Sequence, residues 1–174
     1  RTTNLNFPGL PGRNGLKYLP VALLQAAPID LVILALGTND VFAEAGRKPE
    51  DTVNAMRSLV KVTKDLPTAQ GSSVPNTSPP EVMIVAPPNC LPLSSVAGEG
   101  FPELDKLTRW LPELAKLYGE LAIEQNTYFV DAAELCEPDP VDGLHLDVEN
   151  TRKLGDGIAK ALALQRFARL IKNR

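Results

Sequence analysis

Leu31-Val32-Ile33-Leu34-Ala35-Leu36-Gly37-Thr38-Asn39-Asp40 is the stretch whose reading decides the fold. Residues 31–36 are apolar without alternation, and the run stops at Gly37. An unbroken apolar run closed by a glycine suits a strand covered on both faces, as in a parallel α/β sheet. Ligands of such sheets bind just beyond the carboxyl ends of the strands, where Gly37, Thr38, Asn39 and Asp40 fall. The side-chain amide of Asn39 can donate to a developing oxyanion there. Taken alone, the four residues are also a polar turn that ends a strand. A second polar cluster, Asp142-Gly143-Leu144-His145, carries the chain's single histidine.

Working outward, residues 81–86 (EVMIVA) and 127–131 (TYFVD) read as two further strands. Residues 15–27 read as a short helix, with Pro20 tolerable only in its first turn. A helix is expected from Pro49 to about residue 66, with Glu50 and Asp51 in the first turn where the dipole favours them. Its inward stripe is Val53, Met56, Leu59, Val60 and Thr63. Residues 101–125 have leucines at helical spacing, and Pro112 is expected to kink or divide them. Residues 147–172 read as the closing helix, with Leu154, Ile158, Ala161, Leu162 and Leu170 inside. Residues 1–15 and 68–80 are loops rich in Gly, Pro and polar residues. The long loop from Pro87 to Gly100 lies on the ligand side of the sheet. Alternating strands and helices imply a parallel α/β sheet within one domain spanning residues 1–174. Three strands are few for a three-layer sandwich.

Composition narrows the classes. A net charge of -3 and a pI near 5.2 give no reason to expect nucleic acid or an anionic membrane as partner. No apolar run approaches a bilayer span. The two cysteines, Cys90 and Cys136, form neither a disulfide framework nor a zinc-spaced pair. One histidine excludes a His-rich metal site. The first residues carry no signal-peptide pattern, which does not decide the compartment; soluble and cytoplasmic is the expectation carried forward.

Asp142 and His145 stand three apart on a turn directly before a helix. A neutral imidazole needs its Nδ1–H held by an acceptor so that Nε2 is free to take a proton. A carboxylate three residues upstream can reach back to do so, and Gly143 permits the tight turn. The alternative is a helix-capping carboxylate beside an incidental histidine.

GTND after the first visible strand and DGLH before the last helix, in that order, resemble the SGNH hydrolases, also called the GDSL esterases. The opening RTT, Asn14-Gly15, and Tyr18-Leu19-Pro20 before the DLVILALGTND strand resemble the arylesterase-type branch. The resemblance implies a flavodoxin-like three-layer sandwich. It also implies a serine esterase acting on small carboxylic esters, or transferring the acyl group to an alcohol, without metal or cofactor. It makes His145 the general base, Asp142 its orienting carboxylate and Asn39 an oxyanion-hole donor. Gly37 allows close backbone approach, Thr38 belongs to the same substrate-binding block, and Asp40 braces the loop. Pro87 and Pro88 wall the pocket.

One block of the family is absent, because no Gly-Asp-Ser triplet occurs here. The expectation is therefore a domain lacking its first two strands, with a nucleophile and any terminal signal in the missing part. Such a chain is expected to be inactive by itself, poorly stable and prone to self-associate. Gly155-Asp156-Gly157 offers no hydroxyl, and only Ser94, Ser95 and Cys90 lie on the ligand side as substitutes. Two rival readings stand beside the esterase: a non-catalytic module binding an ester or partner on the same fold, and a carbohydrate O-acetyl esterase or lipase. Oligomeric state is open.

Overall fold

The computed structural model describes residues 1–7, 9–44, 46–65 and 79–172. Its centre is a parallel sheet of β1 (Leu31–Leu34), β2 (Glu81–Ala86) and β3 (Tyr128–Asp131), in the order β1-β2-β3. Leu34 stands opposite Ile84, and Ile84 opposite Phe129. Five helices accompany it among the described residues: α1 (Gly15–Ala26), α2 (Thr38–Ala43), α3 (Pro49–Asp65), α4 (Leu104–Glu124) and α5 (Val148–Lys172).

The period-two alternation of β2 divides the core into two layers. Val82, Ile84 and Ala86 join Leu34 against α3 and α4, where Met56, Leu59, Leu107, Leu111 and Leu114 are buried. Met83 and Val85 join Tyr128 and Val130 on the other face, against Leu154, Ile158, Ala161 and Leu162 of α5. Each fully buried leucine or methionine is worth about 1.5–3 kcal/mol, so the α3–α4 layer is the main stabilising contact. The three expected strands and the expected α3 stripe are all present, and the stripe is buried throughout.

Several boundaries differ from the sequence reading. β1 ends at Leu34, two residues short of the expected end, because its ladder with β2 stops at the Leu34–Ile84 pair. Thr38–Ala43 is a helix, not only a turn. Pro20 is the sixth residue of α1, beyond the first turn. Its missing N–H leaves the Leu16 carbonyl without a helical partner. Pro112 neither divides nor ends α4, which runs unbroken for 21 residues. Buried Leu107, Leu111 and Leu114 flank that proline, and their packing outweighs its cost of about 3 kcal/mol. Leu170 is 66% exposed, so the inward face of α5 ends at Leu162, and Leu164, Phe167 and Ile171 are exposed with it. The connector expected over residues 68–80 and the expected end of α3 lie outside the described residues up to residue 78.

The two sheet edges differ. On β3, the Gln165 side chain accepts from Phe129 N at 3.0 Å and donates to Phe129 O at 2.7 Å, closing that edge with one amide. β1 pairs only with β2 among the described strands, and its Ile33 is 44% exposed.

Candidate active site

At the carboxyl end of β1 the chain turns on Gly37, whose φ of 143° lies where only glycine is comfortable. A Cβ there would meet Leu114 Cδ2 at 2.7 Å. The close approach lets the Tyr118 hydroxyl donate to the Leu36 carbonyl at 3.1 Å, and burial followed by the Asp40 charge pushes that phenol far above its ordinary pKa. Gly37 then caps the short helix α2, which carries Thr38, Asn39 and Asp40.

Asp40 is fully buried. Its carboxylate accepts from Thr3 N at 3.0 Å and from the Thr3 hydroxyl, and pairs with Arg47 Nη2 at 3.5 Å. Burial raises its pKa, and the Thr3 hydrogen bonds and the Arg47 charge only partly offset that. A carboxylate so enclosed has no free oxygen for a reactant, so Asp40 braces the loop. Asn39, in contrast, is exposed, and its Nδ2 donates to Arg1 O at 3.4 Å.

Gly37, Thr38, Asn39, Pro87 and Pro88 line one open cleft together with Ala35, Leu36 and Ala86. The five residues singled out from the sequence at the ends of the first two strands are thus brought together. His145 is not part of that lining.

His145 sits on the loop before α5. Asp139 N donates to His145 O at 2.7 Å and Gly143 N to Asp139 O at 2.8 Å, so residues 139–145 form a tight loop. Gly143, at φ 72°, makes the turn. One Asp142 oxygen accepts from Leu144 N and His145 N, both at 2.9 Å. The other lies 2.6 Å from His145 Nδ1. The carboxylate is therefore fixed through Oδ1 and presents Oδ2 to the ring. Partial burial acts to raise the Asp142 pKa, but the hydrogen bonds from the His145 ring and the two amides outweigh it and leave it lowered. The helix-capping role belongs to Asp147 instead, whose carboxylate accepts from Asn150 N at 2.7 Å.

Two features of this site had no motif in the sequence. The loop after β2 is strapped to the histidine loop by Leu91 N to Gly143 O, Ala97 N to Pro140 O and Gly98 N to Val141 O, at 2.8–2.9 Å. Phe101 stands edge-on to the His145 ring at 5.9 Å and to Phe42 of α2 at 5.7 Å. An aromatic bridge therefore links the imidazole to the helix that carries Asn39. Neither Phe101 nor Phe42 belongs to a motif, and only their meeting in space gives them a place here.

The alternative nucleophiles are poorly disposed. Cys90 is buried, with Sγ 3.6 Å from Leu104 O, and burial raises its thiol pKa to about 11. Ser94 and Ser95 are exposed on a 3-10 turn. No serine hydroxyl among the described residues is hydrogen-bonded to His145. Among those residues no cluster of three or more His, Cys, Asp or Glu side chains is arranged to hold a metal ion. No helix among them is long and apolar enough to cross a membrane.

Residues 1–150 match the family model of the GDSL-like lipase/acylhydrolase family. The native aryl esterase of M. smegmatis superposes with a TM-score of 0.79 at 34% identity, covering 95% of this chain and 74% of that one. A carbohydrate acetylesterase from Sinorhizobium meliloti superposes with a TM-score of 0.78 at 33% identity, with the same 95% and 74% coverage. No curated protein sequence matches. The parallel α/β fold, the family-model match and the likeness to these two esterases together mark an α/β carboxylic ester hydrolase. The chain belongs to the GDSL-like lipase/acylhydrolase family, in its arylesterase-like branch, and it spans about three-quarters of the length of these two solved relatives.

Proposed function

We propose that residues 1–174 form one SGNH-type domain supplying the base, the orienting acid and one oxyanion donor of a serine esterase. The observation that carries this is the 2.6 Å contact between Asp142 Oδ2 and His145 Nδ1. With Nδ1–H held there, Nε2 accepts the proton of an attacking hydroxyl and returns it to the leaving alcohol. Asn39 Nδ2 donates to the oxyanion of the tetrahedral intermediate. Gly37, Thr38, Pro87 and Pro88 form the wall against which the ester lies. The attacking serine is carried by a strand that pairs along the open edge of β1, a placement supported by the exposed Ile33 and the unshared ladder there. Covered by that strand, the cleft beside Asn39 becomes the reaction site.

The substrate class is a small carboxylic ester, with acyl transfer to an alcohol as the companion reaction. Likeness to the aryl esterase supports simple aryl esters, and likeness to the carbohydrate acetylesterase supports sugar O-acetyl groups. No cofactor is assigned a role, and a soluble, cytoplasmic location is the working assignment.

The test uses the polypeptide of the whole reading frame with p-nitrophenyl acetate. His145→Ala should lose about four powers of ten in turnover with an unchanged circular dichroism spectrum. Near-normal turnover by that variant would refute the base assignment. Residues 1–174 alone should be inactive and self-associating. Turnover by them that a serine-directed inhibitor abolishes would place the nucleophile within this chain instead.

A further inference from the structure

We propose that the cleft lined by Arg1, Thr2, Phe7, Leu10, Arg13 and Asn39 is a carboxylate-binding subsite that selects esters bearing a second, anionic group. The proposal rests on the reading of Asn39 as the oxyanion donor, because Asn39 is shared between this cleft and the one beside β1.

The cleft is formed by the opening loop folding back on itself. Thr2 N donates to Arg13 O at 2.9 Å and Arg1 Nε to Gly12 O at 3.0 Å, so the two arms of the loop face each other. The Arg1 guanidinium lies 4.0 Å from the centre of the Tyr18 ring, which fixes its position without neutralising it. Arg13 is exposed and makes no ion pair among the described residues. None of the six lining residues is acidic. Asp40, adjacent to Asn39 in sequence, is enclosed by Thr3 and Arg47.

Two uncompensated guanidiniums thus line one cleft in a chain whose net charge is -3. Guanidinium groups take carboxylates in short, charge-assisted and often bidentate contacts. The partly buried Phe7 and the half-exposed Leu10 supply an apolar wall, along which methylenes between two carbonyls can lie. Because Asn39 and both arginines line the same cleft, the matching substrate is the monoester of a short dicarboxylic acid. Its ester carbonyl goes to Asn39 and its free carboxylate to the arginines.

The test compares p-nitrophenyl hemiglutarate with p-nitrophenyl butyrate, and measures glutarate binding by calorimetry, on the whole-reading-frame polypeptide. The ratio of kcat/KM for the anionic over the neutral ester should fall about tenfold in Arg13→Gln, through KM, and recover in part in Arg13→Lys. Glutarate binding should weaken by a similar factor. An unchanged ratio in Arg13→Gln overturns the proposal. Arg13-dependent glutarate binding without preference for the anionic ester also overturns it, leaving a site for a free anion. If neither ester is turned over, the esterase reading fails, while Arg13-independent glutarate binding sinks the subsite separately.

Discussion

Asp40 and Asp142 stand in the two polar segments that follow β1 and precede α5, and the fold treats them in opposite ways. Asp40 has no exposed surface, two donors from Thr3 and the Arg47 guanidinium beside it, yet burial still holds its pKa above the ordinary value. Asp142 is 27% exposed in its side chain, and hydrogen bonds from one imidazole and two amides hold its pKa below the ordinary value. The enclosed carboxylate is spent on structure, locking residues 1–3 to α2. The accessible one keeps an oxygen for the histidine. Environment, not residue type, separates a brace from a partner in proton transfer.

The contrast can be broken by substitution. In the whole-reading-frame polypeptide, Asp142→Asn should reduce turnover of p-nitrophenyl acetate about 10⁴-fold, because an amide favours the wrong imidazole tautomer, while shifting stability by less than about 1 kcal/mol. A large loss of stability would make Asp142 a brace as well. Asn39→Ala should cost two to three powers of ten in turnover, roughly the scale of one oxyanion donor, and an effect on KM alone would remove it from that role. Asp40→Ala should act on stability instead, by about 2–4 kcal/mol in urea unfolding, since it strands the Thr3 donors and part of the Arg47 charge. Residual turnover per folded molecule should stay within about tenfold of the parent.

The smallest effects sharpen the comparison through pH. Asp40 has a raised folded pKa, so its contribution to stability is full below the ordinary carboxylate value and is lost as pH rises through the raised one. Asp142 has a lowered folded pKa, so its contribution is present above the ordinary value and is lost as pH falls through the lowered one. Urea titrations between about pH 3 and 7 should therefore show Asp40→Asn and Asp142→Asn departing from the parent in opposite senses. Departures of the same sign would overturn one of the two assignments.

Much of this was legible in the residues. The apolar run at 81–86 and the leucine spacing of α4 report burial directly, because both faces of a central parallel strand and one stripe of a helix must be apolar. The run at 31–36, in contrast, marks a strand in which Leu34 is buried and Ile33 stays exposed. The Asp142–His145 contact was legible because three residues on one turn span a fixed distance. What remained hidden depends on partners distant in sequence. Thr3 gives no local sign that it will fasten Asp40, 37 residues on. Phe101 and Phe42 belong to no motif, and only their contact in space sets Phe101 beside the imidazole. Thr38–Ala43 is too short to show a helical period. Leu170 fits the spacing of its helix, but the sheet it would cover ends before reaching it.

Trp110 is the chain's single tryptophan; it is buried in α4, and its indole N–H donates to the Arg47 carbonyl at 3.3 Å. The same arginine's side chain clamps Asp40. One fluorophore is therefore tethered to the residue that holds the opening loop in place. Its emission reports, without any label, whether the segment between α2 and α3 is seated on α4. A red shift that precedes loss of far-ultraviolet ellipticity during unfolding would mark the release of this clasp as an optical event separate from melting of the sheet.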